Sequence, residues 1–419
     1  PAPDYKVDEV KELLNAKIEE ERQAFADCSE EIEFDKLNYD PNKWNLLSLF
    51  SGCGGLDLGF ELAGHDIIWA NDFDQDAVNT YNKNIGKYSG HEAICKDIVK
   101  LLDTDKEHIN EILPDCDIII GGFPCQGFSI ANLNRSMKDE RNFLYLQLLK
   151  AISVKQPRYF LLENVKGLEN MEKGKILQMI LEDLENAGTK KSKIFKGNGL
   201  GYKVAYNVLN AYNFGVPENR ERVIILGIRN DIVNQSNVTQ YIKDDVKTSK
   251  KYKTLYIPIT HSENSEKIEE IKPFQKLNNA YMSWKNKEKV DLSVSTIYKL
   301  RNMRDAIGDL PLEYDSEESK KYLNHTGSKC KVNIKNTMGN RATDWDKYAP
   351  TIMGRGSGTG GPLIPPHPEQ HRRLSVREVA RIQTFPDDFE FCGSNSAGYR
   401  QIGNAVPVLM AYNIGKIFT

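Results

Sequence analysis

Four residues carry the reactive groups that stand out first. They are Cys125 in Gly122-Phe123-Pro124-Cys125-Gln126, Glu163 in Leu162-Glu163-Asn164-Val165, and the arginines of Glu218-Asn219-Arg220-Glu221-Arg222. A thiol suits nucleophilic addition, but an unperturbed pKa of about 8.5 leaves little thiolate at neutral pH, so its site must activate it. A carboxyl group can pass a proton when burial raises its pKa toward the working pH. An arginine holds an anion or a carbonyl oxygen with a fixed fork of donors. Each has a bland alternative: an inert buried thiol, a surface acid, arginines that merely pair with Glu218 or Glu221. Together they form a set for nucleophilic catalysis, provided the fold gathers them.

The flanking sequence indicates how they are gathered. Cys125 follows the apolar run Asp117-Ile118-Ile119-Ile120, Glu163 ends Tyr159-Phe160-Leu161-Leu162, and Arg222 opens Val223-Ile224-Ile225-Leu226. Similar runs occur at 46–50, 67–70 and 203–206, with helical patterns between, as at 143–154 and 175–187. This alternation predicts a parallel α/β sheet covered on both faces. In such sheets ligands and chemistry collect at the carboxyl ends of the strands. Pro124 fixes φ just before the thiol. Arg220 and Arg222 occupy alternate positions, so both can face one side.

A glycine-rich turn, Ser51-Gly52-Cys53-Gly54-Gly55-Leu56-Asp57, follows the first predicted strand and lets a ligand approach the backbone. Asp57 breaks the GxGxxG pattern, and a carboxylate there would repel a pyrophosphate. Asn71-Asp72-Phe73 ends the next strand, where an acid can accept from ribose hydroxyls and an aromatic can cover an adenine. Asp97, past a third strand, can meet the adenine amino group. A nucleoside without pyrophosphate suggests S-adenosylmethionine.

The chain has 419 residues, 40% hydrophobic and 27% charged, enough for two domains with a sizeable core. No apolar run approaches the roughly 20 residues of a membrane helix, and Pro1-Ala2-Pro3-Asp4 does not open a signal peptide. The seven cysteines are scattered without a CxxC pair, which fits reduced thiols in a cytosol. His367 and His371 sit among prolines with no third ligand, so no metal is expected. The net charge of −3 divides into −8 over residues 1–40 and +5 over the rest, a mildly basic body compatible with nucleic acid. Three parts are expected: an acidic helical extension (1–43), a catalytic domain (44–229 with 395–419), and an irregular second domain (230–394). The last includes a helix in 372–384, opened by the capping box of Ser375-Val376-Arg377-Glu378.

The ordered motifs resemble those of the cytosine-C5 DNA methyltransferases, of the bacterial restriction-modification type. The matching stretches are Phe50-Ser51-Gly52-Cys53-Gly54-Gly55, Gly122-Phe123-Pro124-Cys125-Gln126, Glu163-Asn164-Val165 and Arg220-Glu221-Arg222. Near the end come Arg373-Leu374-Ser375-Val376-Arg377-Glu378 and Gly403-Asn404-Ala405-Val406-Pro407. Glu218 departs from the family, which more often carries glutamine there.

The resemblance implies a Rossmann-like S-adenosylmethionine-dependent sheet with a smaller target-recognition domain. It implies that Cys125 attacks C6 of a flipped-out cytosine in duplex DNA. Glu163 would serve N3, Arg222 would hold O2 while pairing Glu163, Arg220 would hold the flanking backbone, and Asn164 with Pro124 would shape the loop. Phe50, Gly52, Cys53, Gly54, Gly55, Asp72, Phe73, Asp97, Ile98, Gly122, Pro124, Leu144, Asn404 and Ala405 would bind the cofactor, which leaves as S-adenosylhomocysteine. Gln126, Ser129, Thr351, Arg355, Lys331, Lys335 and Arg341 would contact DNA. A bacterial cytoplasmic monomer is expected, with a cognate restriction endonuclease as a cellular partner and no membrane contact. The alternative is a tRNA cytosine-C5 methyltransferase of the same fold; the broken GxGxxG and Pro124-Cys125-Gln126 oppose a nicotinamide-dependent dehydrogenase, and the presence of Cys125, Glu163 and Arg222 opposes an inactive DNA-binding relative. A full-size variable region before Arg373 favours DNA over tRNA.

Overall fold

The apolar runs form strands because they are buried on both sides. In β1 (Asn45–Leu49), Leu46 faces one hydrophobic layer and Leu47 and Leu49 the other. The computed structural model describes residues 43–104, 106–123, 144–243, 252–269, 273–314, 316–328, 331–335, 339–354 and 364–419. Residues 1–42 of the acidic extension, Pro124, Cys125, Gln126, Ser129 and Arg355 lie outside them.

After β1 come α1 (Gly55–Leu62), β2 (Asp66–Asp72), α2 (Gln75–Tyr81), β3 (Ile94–Cys95) and β4 (Ile118–Gly122). Next are α3 (Tyr145–Lys155), β5 (Tyr159–Val165), α4 (Lys175–Glu185), β6 (Tyr202–Asn210), β7 (Glu218–Asn219) and β8 (Glu221–Arg229). β9 (Ile242–Lys243) and β10 (Lys253–Leu255) complete a nine-stranded sheet of order β3-β2-β1-β4-β5-β8-β6-β10-β9. Helix α1 covers one face and α3 with α4 the other.

The sheet is mixed rather than parallel. β8 runs antiparallel to both β5 and β6. A parallel return needs a crossover of a dozen or more residues. Between β6 and β8 lie only a 3₁₀ turn (Ala211–Phe214) and β7, so the chain folds back with Asn210 opposite Glu221.

Residues beyond 229 also depart from the expectation. β10 pairs with β6, so the sheet crosses the boundary expected at 229. A 13-residue helix, α5 (Pro273–Lys285), stands where no long periodic segment was expected. Its Leu277, Tyr281 and Trp284 enter the core beneath α1, and Trp284 Nε1 donates to Glu61 Oε2 at 3.1 Å. Two short parallel pairs follow, β11 (His261–Ser262) with β12 (Tyr298–Lys299), and β13 (Ala349–Pro350) with β7.

The chain closes with α6 (Val376–Ile382), α7 (Asn395–Asn404) and α8 (Val408–Gly415). Ser375 caps α6 with the reciprocal Glu378 bonds that its spacing predicts. Among the described residues no helix is long and apolar enough to cross a membrane.

Candidate active site

β1, β2, β4 and β5 end on the same edge of the sheet, and a cavity of about 750 Å³ opens there. Phe50, Asp72, Phe73, Glu163, Arg222 and Asn404 all line it.

One side of it is built on the glycine turn. Phe50, Gly52 and Gly54 all have positive φ, and this sharp turn delivers the chain from β1 into α1. A Cβ at Gly55 would fall 2.4 Å from Val406 O, so the turn and the closing segment pack backbone to backbone. Gly52 N donates to Asp72 Oδ2 at 2.9 Å, and Asp74 N donates to Oδ1 at 2.9 Å. Burial raises the Asp72 pKa, and these backbone bonds oppose the rise. Beside it Phe73 is 75% exposed, a large aromatic face at the rim with little to cover it. An acid and an open ring at the end of β2 fit a ribose and an adenine. Asp57 lines the cavity without being solvated: it is fully buried, accepts from Ser48 Oγ at 2.8 Å, and burial pushes its pKa up to about 7.

Other expected cofactor residues stand elsewhere. Cys53 is buried with its Sγ toward Gln401 O, and Gly54 packs on Tyr81 and Ile85. Asp97 caps a short turn by accepting from Val99 N, Ile98 is buried, and Leu144 stands at the start of α3. None of these five is among the described residues that line the cavity. Gly122 and Ala405 are.

The reactive side is set by the antiparallel β5–β8 pair, in which Val165 lies opposite Arg222. Glu163 Oε1 accepts from Arg222 Nε at 2.8 Å, with both residues 9% exposed. Burial raises the Glu163 pKa, while Arg222 and then Arg220 pull it down. Gly122 is the register partner of Glu163, and a Cβ there would fall 2.9 Å from Glu163 Oε2. Asn164 Nδ2 donates to Phe123 O at 2.9 Å, on the last described residue before Pro124.

Arg220 does not have the open face that a phosphate contact requires. It is fully buried, and its guanidinium donates to the carbonyls of Ile352, Gly403 and Ala405. Strand alternation gives a residue's face but not its depth. Thr351 Oγ1 donates to Asn219 O at 2.5 Å, Lys331 bridges to Arg372, and Lys335 and Arg341 are exposed.

Sequence reasoning passed over several cavity residues. Arg400 sits one turn before Asn404 on α7 and forms an ion pair with Asp74 at 2.8 Å. The i, i+4 spacing from Asn404 was the available signal. Ile352, Met353 and Gly354 form a further wall.

Comparison with known proteins agrees with this geometry. A family model described as C-5 cytosine-specific DNA methylase matches residues 44–418. The chain is 35% identical to the type II methyltransferase M.BsuRI of Bacillus subtilis, over 98% of this chain and 87% of that one. It is 34% identical to M.BspRI of Lysinibacillus sphaericus, over 99% and 91%. A prophage-encoded E. coli structure described as a DNA modification methyltransferase superposes with a TM-score of 0.55 at 24% identity. That match covers 89% of this chain and 97% of the other, a likeness of fold. The chain belongs to the C-5 cytosine-specific DNA methylase family.

Proposed function

We propose that the chain methylates C5 of a cytosine flipped out of a specific duplex DNA sequence, as the modification enzyme of a type II restriction-modification system. The observation that carries this reading is the Glu163–Arg222 pair, which faces the same cavity as Asp72 and Phe73. By register Glu163 lies beside Gly122, on the strand that leads to Cys125. S-adenosylmethionine supplies the methyl group, held by the glycine turn, Asp72, Phe73, Asn404 and Ala405.

C5 of cytosine is a weak nucleophile. Addition of the Cys125 thiolate to C6 converts C4–C5–C6 into an enamine-like system, and negative charge develops toward N3. Glu163 neutralises that charge by donating a proton at N3, which needs the raised pKa that burial provides. Arg222 holds Glu163 through Nε, and from the cavity wall its guanidinium would hold O2 of the base. Asn164 braces the loop through Phe123 O. C5 would then take the methyl group as its bond to the sulfonium sulfur breaks and S-adenosylhomocysteine leaves; N3 returns its proton to Glu163, and loss of the C5 proton to solvent allows the thiolate to leave and the ring to be restored.

The C5–C6 edge is stacked in duplex DNA, so the base must leave the helix at a cost of a few kcal/mol. We assign residues 44–229 with 395–419 to catalysis and most of 230–394 to target recognition, with Thr351, Lys331 and Arg341 on the DNA side. The enzyme works as a cytoplasmic monomer beside a cognate endonuclease. The test is incubation with tritiated S-adenosylmethionine and either duplex DNA or tRNA. Label recovered as 5-methyl-2′-deoxycytidine supports the reading, and label in tRNA alone refutes it.

A further inference from the structure

Arg220 joins two walls of the cavity. Nη1 donates to Ile352 O, and Nη2 donates to Gly403 O and Ala405 O, each at 2.8 Å. Glu218 completes the joint: its Oε1 accepts from Ile352 N at 2.6 Å and lies 3.5 Å from Arg220 Nη1. Both residues are fully buried. The β7–β13 pairing and the Thr351 bond to Asn219 O fasten the same segment. The two walls also touch directly. A Cβ at Gly403 would fall 2.3 Å from Gly354 N, and one at Gly354 would fall 1.9 Å from Asn404 Oδ1. A planar, permanently charged fork can hold several carbonyls at fixed angles, whereas a lysine is a point charge on a flexible stem.

We propose that Arg220 is a positioning residue that couples the cofactor wall (403–405) to the segment 351–354, so that a cofactor bound against Asn404 and Ala405 orders that segment. The proposal rests on the cofactor reading above. It replaces a direct phosphate contact by Arg220 with an indirect role: one side chain sets the register between the methyl donor's pocket and the segment that continues toward the target-recognition residues. Polar groups this deeply buried are costly to leave unpaired, so the joint tolerates few arrangements.

Hydrogen exchange of the full chain, with and without S-adenosylhomocysteine, tests it without requiring turnover. In the wild type the ligand should slow exchange by about tenfold or more at 50–55 and at 351–354. In Arg220→Lys, protection at 50–55 should persist while protection at 351–354 falls by roughly fivefold or more. Steady-state kinetics should show KM for DNA rising while KM for S-adenosylmethionine stays within about threefold, a split that general loosening would not produce. If Arg220→Lys does not fold, Glu218→Ala removes the acceptor for Ile352 N and the carboxylate beside Arg220, and should uncouple the segments in the same sense. Equal protection of 351–354 in wild type and variant overturns the proposal. So does a wild type in which 50–55 responds and 351–354 does not, with the cofactor reading intact. No response anywhere in the wild type removes the cofactor reading, and the proposal with it.

Discussion

Gly122→Ala tests how closely Glu163, the proposed catalytic acid, is placed. The added Cβ would lie 2.9 Å from Glu163 Oε2, whereas ordinary contact begins near 3.4 Å, so the carboxylate must retreat by about 0.5 Å. No other heavy atom of the described chain lies within 4 Å of that Cβ beyond the glycine's chain neighbours, so the strain falls on Glu163. Glu163 is held from the far side by Arg222 Nε at 2.8 Å, and a retreat displaces one or both groups. Misplacing a reacting group by 1 Å costs about 10²-fold, so half that displacement should lower kcat by roughly tenfold, or about 1.4 kcal/mol. The assay is single-turnover methyl transfer to duplex DNA by wild type, Gly122→Ala, Glu163→Gln and the double variant. Because the glycine acts through the acid, the double variant should be no slower than Glu163→Gln alone. Wild-type turnover in Gly122→Ala, or an undiminished tenfold effect in the Glu163→Gln background, would refute the reasoning.

Arg222→Lys keeps the charge but loses the Nε bond to Glu163, and one charge-assisted hydrogen bond predicts a roughly 10- to 100-fold loss in kcat/KM; steady-state rates would check it. Asp57 holds its proton up to about pH 7 in the fold but has an ordinary carboxylate pKa when unfolded, so its contribution to stability is full at low pH and declines as pH rises from about 4 to 7. Asp57→Asn should therefore gain stability relative to wild type across that window, by at most about 1.4 kcal/mol per pH unit, and urea titrations at both ends would reveal parallel curves if this is wrong. Glu378→Gln leaves the buried Arg372 without its two-pronged partner at 2.8 Å, and should destabilise the chain by about 3–5 kcal/mol in urea melts.

The sequence carried the strand ends that hold Glu163 and Arg222, because runs buried on both faces read as continuous apolar segments. The direction of β8 was not legible, since side-chain period is the same in either sense; only the short link from Asn210 to Glu221 carried that information. Helix α5 was hidden by its polar composition, although Phe274, Leu277, Tyr281 and Trp284 follow a helical repeat. Arg220 was assigned to the right strand edge, but its burial arises from segments at 352 and 403 that no local pattern could place. The inward packing of the Cys53 side chain was likewise not legible from the motif. In a tight turn, adjacent residues point opposite ways, and its thiol packs inward.

The nucleophile itself is open to a direct measurement. Duplex DNA carrying 5-fluorocytosine at the target position, incubated with the enzyme and S-adenosylmethionine, should arrest after methyl transfer because fluorine cannot leave C5 as a proton does. The account predicts a denaturation-resistant protein–DNA adduct whose tryptic peptide maps to Cys125, and its loss in Cys125→Ser. An enzyme active on ordinary duplex DNA that forms no such adduct, or forms it at another residue, would contradict it.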